Sequence, residues 1–411
     1  MIIISIVLSI LFLAFTLKKK NNFGVYYICF IIFYSISHFT FFLNAPNDSF
    51  YNEDEMLAFI QAAIYLIVTI LTYRLLSSFF KIKNSITLRQ SYSKSISYIL
   101  FIMFFLGLIL YIINNGIAIG LSYNERLEAN TGGGLAIILM YSYIPATVIY
   151  YRNNPNKKHL IISMGISLFC GLLYYIIIGG SRNVLAAGLF SLIYLAVKHK
   201  NISIKSLIII IITGVFSLIL LEAYRYSNNV EDSLNFIKDN SNIIYFIFES
   251  FSPMLAVINI NKALELNNIS PQLLVTFFNE FSILIPRFLW ENKPINVYNN
   301  GYYYTTNILN LNTNLTMSPT LLGSSLIMFG SYFYWVFAIL SGIVLYFFDL
   351  LLVSRKNKNL QLILICSIGY LFFWVRDGLE VYLYVVIKFS ISILIAVFIT
   401  NFLISASKNK K

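Results

Sequence analysis

Several cations in this sequence sit where a chain of its composition should not place them. Arg182 lies in Gly179-Gly180-Ser181-Arg182-Asn183, a tight turn between two apolar runs. Arg287 and Lys293 fall in Pro286-Arg287-Phe288-Leu289-Trp290-Glu291-Asn292-Lys293-Pro294, and Arg376 precedes Asp377 at the end of another apolar run. Arg225 follows Glu222 by three residues, so the two share a helical face. An arginine fork matches phosphate oxygens in pairs. Gly179 and Gly180 let backbone approach a ligand closely. Together these groups read as a cationic cavity for an anion. The competing reading pairs each arginine with a carboxylate or lets it snorkel to lipid phosphate. That reading is the better one for Arg126, Lys238 and Lys262. Anion binding is the better one for Arg182, Arg287 and Arg376, because a buried arginine at bilayer depth costs at least about 2.5–3.5 kcal/mol unless paired or solvated. Lys388, two turns inside the last apolar run, needs a partner or water for the same reason.

Other chemistry is harder to place. Glu222, Glu249, Glu280, Glu291, Asp377 and Glu380 are available for acid/base work, and spacing alone does not choose among them. His159 and His199 lie in basic loops and read as solvated; His38 reads as a packed histidine. The run Asn52-Glu53-Asp54-Glu55 could hold a divalent ion, but carboxylates also suit the first turn of a helix. Tyr298, Tyr302, Tyr303 and Tyr304, in an Asn-rich stretch, fit a sugar-stacking platform and an interfacial aromatic belt equally well. No Walker loop, Gly-x-Ser-x-Gly elbow or His-Glu-x-x-His pair occurs. Cys29, Cys170 and Cys366 all lie in apolar runs, with no spacing for zinc or a disulfide framework.

What must position these residues follows from composition. Of 411 residues, 58% are hydrophobic and 11% charged, less than half the ~25% usual for a soluble domain. A cytosolic enzyme and a disordered chain are excluded. A spanning helix needs about 20 mostly apolar residues, and the apolar runs are continuous rather than alternating, which argues against a β-barrel. The expected fold is an all-α, polytopic integral membrane protein with about eleven spans, ten to thirteen being compatible. These are 1–17, 23–43, 56–78, 95–119, 133–151, 160–178, 184–197, 206–223, 321–350, 360–376 and 381–404. The first lacks a basic n-region and a cleavage site and reads as a span. The chain reads as a single membrane domain.

The net charge of +12 does not imply nucleic acid. Lys18–Lys20, Lys81–Lys94, Arg152–Lys158, Lys198–Lys205, Arg355–Lys358 and Lys408–Lys411 hold most of the basic residues and no acid. Placing them in the cytoplasm puts the N-terminus outside and the C-terminus inside, with anionic lipid as a partner. Residues 224–320 then form one large extracytoplasmic loop. Its apolar pieces, Ile243–Ile260 and Leu273–Trp290, are broken by charges and prolines and suit interfacial helices.

The Pro286–Pro294 stretch resembles the Pro-Arg-x-x-Trp-x-x-Lys-Pro signature of Wzy-type polysaccharide repeat-unit polymerases. Ser318-Pro319-Thr320-Leu321-Leu322-Gly323, then Phe329-Gly330, follow in the same order, and Gly179–Arg182 is similar to the family's Gly-x-Arg turn. The resemblance covers roughly residues 175–380; the first 170 match only as generic spans. It implies a metal-independent membrane glycosyltransferase of the bacterial plasma membrane, without a cofactor. Such an enzyme transfers a growing chain from undecaprenyl diphosphate onto the non-reducing end of a new lipid-linked oligosaccharide, building O-antigen or capsule. It implies Arg182, Arg287 and Arg376, with Lys293 and Arg225, around the diphosphate, and Glu222 or Asp377 as base. Gly180, Ser181, Trp290, Tyr302, Tyr303 and Ser318 would line the substrate, and a separate chain-length regulator would be a protein partner. The rivals are an O-antigen ligase-type transferase, a polyprenyl-phosphate-sugar glycosyltransferase, and a lipid-linked oligosaccharide flippase. A histidine in 224–320 would favour the ligase, and that segment has none.

Overall fold

A computed structural model of the chain describes residues 24–26, 29–30, 34, 53–79, 92–117, 130, 132–178, 182–203, 205–206, 209, 253–285, 289–294, 297–311, 316–353 and 358–408. The expected spans 1–17, 23–43 and 206–223 fall largely or wholly outside these residues. So do Gly180, Ser181, Glu222, Arg225 and Arg287, and the side chain of Arg182. Among the described residues the fold is all-helical with no strand. Among the described residues, seven helical runs are long and apolar enough to cross a membrane.

In chain order the elements are α1 (Glu53–Phe79), α2 (Lys94–Asn115), α3 (Gly134–Met140), α4 (Tyr143–Asn153), α5 (Lys157–Ile178) and α6 (Arg182–Lys198). Then come α7 (Pro253–Glu265), α8 (Val275–Ser282), α9 (Asn300–Tyr303), α10 (Thr320–Phe333) and α11 (Trp335–Val353). The chain closes with α12 (Lys358–Ser367), α13 (Leu371–Asp377) and α14 (Leu379–Lys408). Helix α1 shows the logic of the bundle. Met56, Ile60, Ile64, Ile67, Leu71 and Leu75 are exposed, while Ala58, Ala62, Tyr65, Thr69 and Tyr73 are buried. Both sets recur every three or four residues, so one apolar face meets lipid and the other packs on α11.

Polar side chains tie the buried faces together. Tyr65 and Ser341 share a hydrogen bond of 2.7 Å, and the Tyr73 hydroxyl donates to Asp349 at 2.8 Å. Between lipid-solvated helices such bonds do part of the work that the hydrophobic effect does in water. At the far end of α4, buried Arg152 donates to the Gln361 side chain at 2.6 Å and lies over the Tyr92 ring.

Two expectations need refinement. The run 321–350, longer than one crossing needs and expected to begin with an irregular entry or a tilt, is α10 followed by α11, and inside α10 Gly330 adopts φ 72°, ψ 178° and interrupts the helix. The carbonyls of Ile327 and Met328 beside this break accept the backbone N–H groups of Gln272 (2.9 Å) and Leu273 (2.8 Å). The run Leu371–Asp377 is likewise separated from α12 by a 3₁₀ turn, Ile368–Tyr370. Within 224–320, α7 does not merely lie on a surface. Met254, Val257 and Ile260 are fully buried against α1 and α10. Lys262 pairs with Asp54 at 3.4 Å, the ion-pair reading expected of it, and the acidic run opens α1 as its first turn.

Candidate functional site

The segment between α8 and α10 folds onto the junction of α13 and α14 through polar contacts from several elements. Lys293 donates from Nζ to the carbonyls of Ile283 (2.8 Å) and Ile285 (2.9 Å), closing the turn that leaves α8. Trp290, in that turn, keeps an exposed ring. Two consecutive asparagines follow. Asn299 caps α9 by accepting the Tyr302 N–H at 2.9 Å, and its Nδ2 donates to Glu280 of α8 at 2.6 Å. Asn300 Nδ2 donates to Glu380 Oε1 of α14 at 2.7 Å, and Ser324 of α10 donates to the same oxygen at 2.8 Å. Each asparagine therefore holds one carboxylate from a different helix.

Next along the chain, Tyr304–Ile308 forms a π turn. Thr305 in it accepts the Met317 N–H at 2.7 Å. This brings Ser318 to α13, where its hydroxyl donates to the Arg376 carbonyl at 2.5 Å. Thr320, two residues on, has φ 69°, a left-handed conformation that a β-branched residue adopts only under local constraint. Arg376 and Asp377 stand side by side, Nε to Oδ1 4.0 Å, both partly exposed. Gly378 then turns the chain with φ 117°, and Glu380 enters the first turn of α14, where the positive end of the helix dipole favours a carboxylate.

The structure thus joins Ser318, Arg376 and Asp377 of the expected site, and sets Lys293 and Trp290 in the turn after α8. Tyr303 is buried, its hydroxyl receiving a hydrogen bond from Gln272 at 3.2 Å. Tyr302 is half-buried, edge-on to Tyr298. Of the four tyrosines offered for stacking, Tyr298 is exposed, while Tyr303 and Tyr304 are buried. Arg182 starts α6.

Sequence reasoning had only noted Glu280, Glu380 and Lys388, and had passed over Asn300 and Ser324. One signal was available: Glu380, Tyr384 and Lys388 are spaced by four and share a face of α14. Lys388, 5% exposed, points its ammonium at the rings of Tyr384 (4.0 Å to the centroid) and Tyr141 (4.5 Å), a favourable placement for a desolvated cation.

Glu280 is 5% exposed. Burial raises its carboxyl from 4.5 to about 7; the charges of Glu380 and Asp377 push the same way, against the Asn299 hydrogen bond and Lys388. An acid with a raised folded-state value keeps its proton when folded and loses it when unfolded, so stability falls as pH rises between about 4.5 and 7. The slope contributed is at most about 1.4 kcal/mol per pH unit. Thermal unfolding in detergent should show this decline in the native chain, and E280Q should flatten it. An unchanged slope in E280Q would assign the decline to other groups.

Over residues 1–409 the chain matches the family model described as WzyE protein, O-antigen assembly polymerase. No solved structure matches it.

Proposed function

The chain belongs to the WzyE family of O-antigen assembly polymerases, and from that premise we propose how this multi-pass membrane protein polymerises its repeat units. The donor is a growing glycan on undecaprenyl diphosphate, and the acceptor is a single lipid-linked unit presented at the outer face of the bacterial plasma membrane. The basic loops stay in the cytoplasm with the C-terminus, the N-terminus lies outside, and 224–320 is the extracytoplasmic loop over the site. The whole chain acts as one membrane domain, without a metal or cofactor.

The observation that carries this reading is the junction of Ser318, Arg376 and Asp377 beside the Asn300–Glu380–Ser324 cluster. It couples the long loop to the α13–α14 turn and leaves a partly exposed guanidinium there. Breaking the glycosidic bond to a diphosphate puts negative charge on the leaving oxygens. Arg376, with Arg182 and Arg287 and the support of Arg225 and Lys293, neutralises that charge as it forms. Asp377 orients the Arg376 fork, and Ser318 holds the backbone that carries it. Gly180 and Ser181 let the Arg182 turn approach the lipid phosphates. Trp290 and Tyr302 contact sugar. Glu222, three residues before Arg225 in the chain, orients it. A separate chain-length regulator sets when the polymer is released.

The test is a gel of surface polysaccharide. A deletion strain should show its ladder collapse to a single repeat unit on the anchor, since export and attachment still work. R182A, R287A and R376A should each reproduce that collapse with normal amounts of protein in the membrane. Loss of all surface units would mean a flippase, and polymer stranded on its lipid would mean a ligase. Full ladders in all three variants would remove the arginine clamp.

A further inference from the structure

Two buried acceptor atoms at the α9–α14 contact have no donor. Glu380 is 1% exposed and uses Oε1 for both Asn300 and Ser324; its Oε2 has no hydrogen-bond partner. Asn300, also 1% exposed, spends an Nδ2 proton on Glu380, and its Oδ1 has no partner either. Leaving a buried acceptor unsatisfied is destabilising, and with Glu380 ionised both atoms can only accept. A phosphate or diphosphate cannot fill this place, because it brings more acceptors. The missing partner must bring donors.

We propose that Asn300 and Glu380 form the subsite for the acceptor sugar, binding two of its hydroxyl groups, and that Glu380 takes the proton of the hydroxyl that attacks. The proposal rests on the polymerase reading above. It separates the two substrates by chemistry. The donor's diphosphate goes to the cationic groups, of which Arg376 is four residues away along the chain. The acceptor's hydroxyls go to the acceptor-only pair on the other side of Gly378.

The reaction balances without a further reagent. The attacking O–H gives its proton to Glu380 Oε2 as the oxygen bonds to the donor's anomeric carbon. The bond from that carbon to the phosphate oxygen breaks, and its electron pair leaves with the diphosphate. Glu380 then returns its proton to solvent. The neutral amide of Asn300 holds a second hydroxyl and fixes which face of the ring is presented. Ser324 and the Asn300 amide hold the carboxylate in one orientation. The titratable groups that interact electrostatically with Glu380 include Asp377 on α13, Glu280 on α8 and Tyr65 on α1.

Gly378 supports the arrangement from the backbone side. A Cβ built there would lie 2.6 Å from Glu380 Oε1 and 2.7 Å from Oε2, so only glycine lets the carboxylate occupy this position.

The test uses the full-length protein in its membrane, with the strain's own lipid-linked repeat units as substrate. E380Q keeps the shape and an acceptor for Ser324 but cannot take a proton. It should lower polymer formation about 100-fold or more, in line with loss of a general base, while its unfolding midpoint in detergent stays native. E380D should recover part of the rate, and N300A should raise the concentration of lipid-linked unit needed for half-maximal rate more than it lowers the maximal rate. The free oligosaccharide released from the lipid by mild acid, used as probe in ligand-observed NMR, should saturate with the native protein and not with N300L. Should the deletion strain keep its ladder, the polymerase reading itself fails. If the deletion collapses the ladder while E380Q and N300A make normal polymer, the subsite proposal alone fails, and the two acceptors serve buried water. The subsite proposal also fails if E380Q loses its native midpoint while natively folded N300A and N300L keep full activity and binding.

Discussion

G369A leaves little folded protein in the membrane. Gly369 lies in the 3₁₀ turn between α12 and α13, where that strand of chain presses on α6. A Cβ there would overlap the Ala187 carbonyl oxygen and lie 2.9 Å from both the Ala187 carbonyl carbon and Ser191 Oγ. Two of these three atoms are helix backbone and cannot rotate away. Ser191 cannot retreat freely either, since its hydroxyl donates to the Cys366 carbonyl at 2.8 Å and fastens α6 to α12. Overpacking a tight core costs about 1–3 kcal/mol where side chains can yield; here the helices must separate, and the cost lies at or above the top of that range. Membrane-bound protein levels and the size-exclusion profile in mild detergent measure it. A monodisperse G369A peak at native yield would show that α6 and the turn can part without harm.

G378A folds and does not polymerise. The substitution imposes φ 117° on a residue with a Cβ, a strain of about 1–3 kcal/mol that the bundle can absorb. What it cannot absorb is the contact with the Glu380 carboxylate. The carboxylate must leave the position in which Asn300 and Ser324 hold it, and with it goes any hydroxyl bound there. Polymer formation should fall about 100-fold or more, at an expression level close to native. Crowding at Gly378 therefore acts on the reaction, and crowding at Gly369 acts on the fold. Normal polymer from G378A would mean that the carboxylate position is not needed.

Much of the bundle was legible in the sequence because lipid selects apolar residues directly. The expected spans 56–78, 160–178 and 381–404 correspond to α1, α5 and α14 within a few residues. The positions of the breaks were not legible, although the excess length of 321–350 pointed to an irregular entry. Gly330 and the Ile368–Tyr370 turn interrupt runs whose composition stays apolar throughout, and hydropathy reports composition rather than dihedral angles. The site divides in the same way. Arg376 and Asp377 drew attention as charged groups at the edge of an apolar run, and Ser318 through the motif that resembles the family's. Asn300 did not, because an asparagine in an Asn-rich stretch carries no mark. Its partner Glu380 is 80 residues away, and only the packing of α9 on α14 makes the two a pair. Lys388 was visible as an anomaly, but its aromatic neighbour Tyr141 comes from α3's end of the bundle and could not be guessed.

The break at Gly330 also has an order in time. Backbone carbonyls released inside an apolar layer have no water to turn to, so the Ile327 and Met328 carbonyls need their donors at hand when α10 and α11 enter the bilayer. Those donors, Gln272 and Leu273, belong to a stretch that the ribosome finishes earlier. The cap is therefore made before the gap it covers.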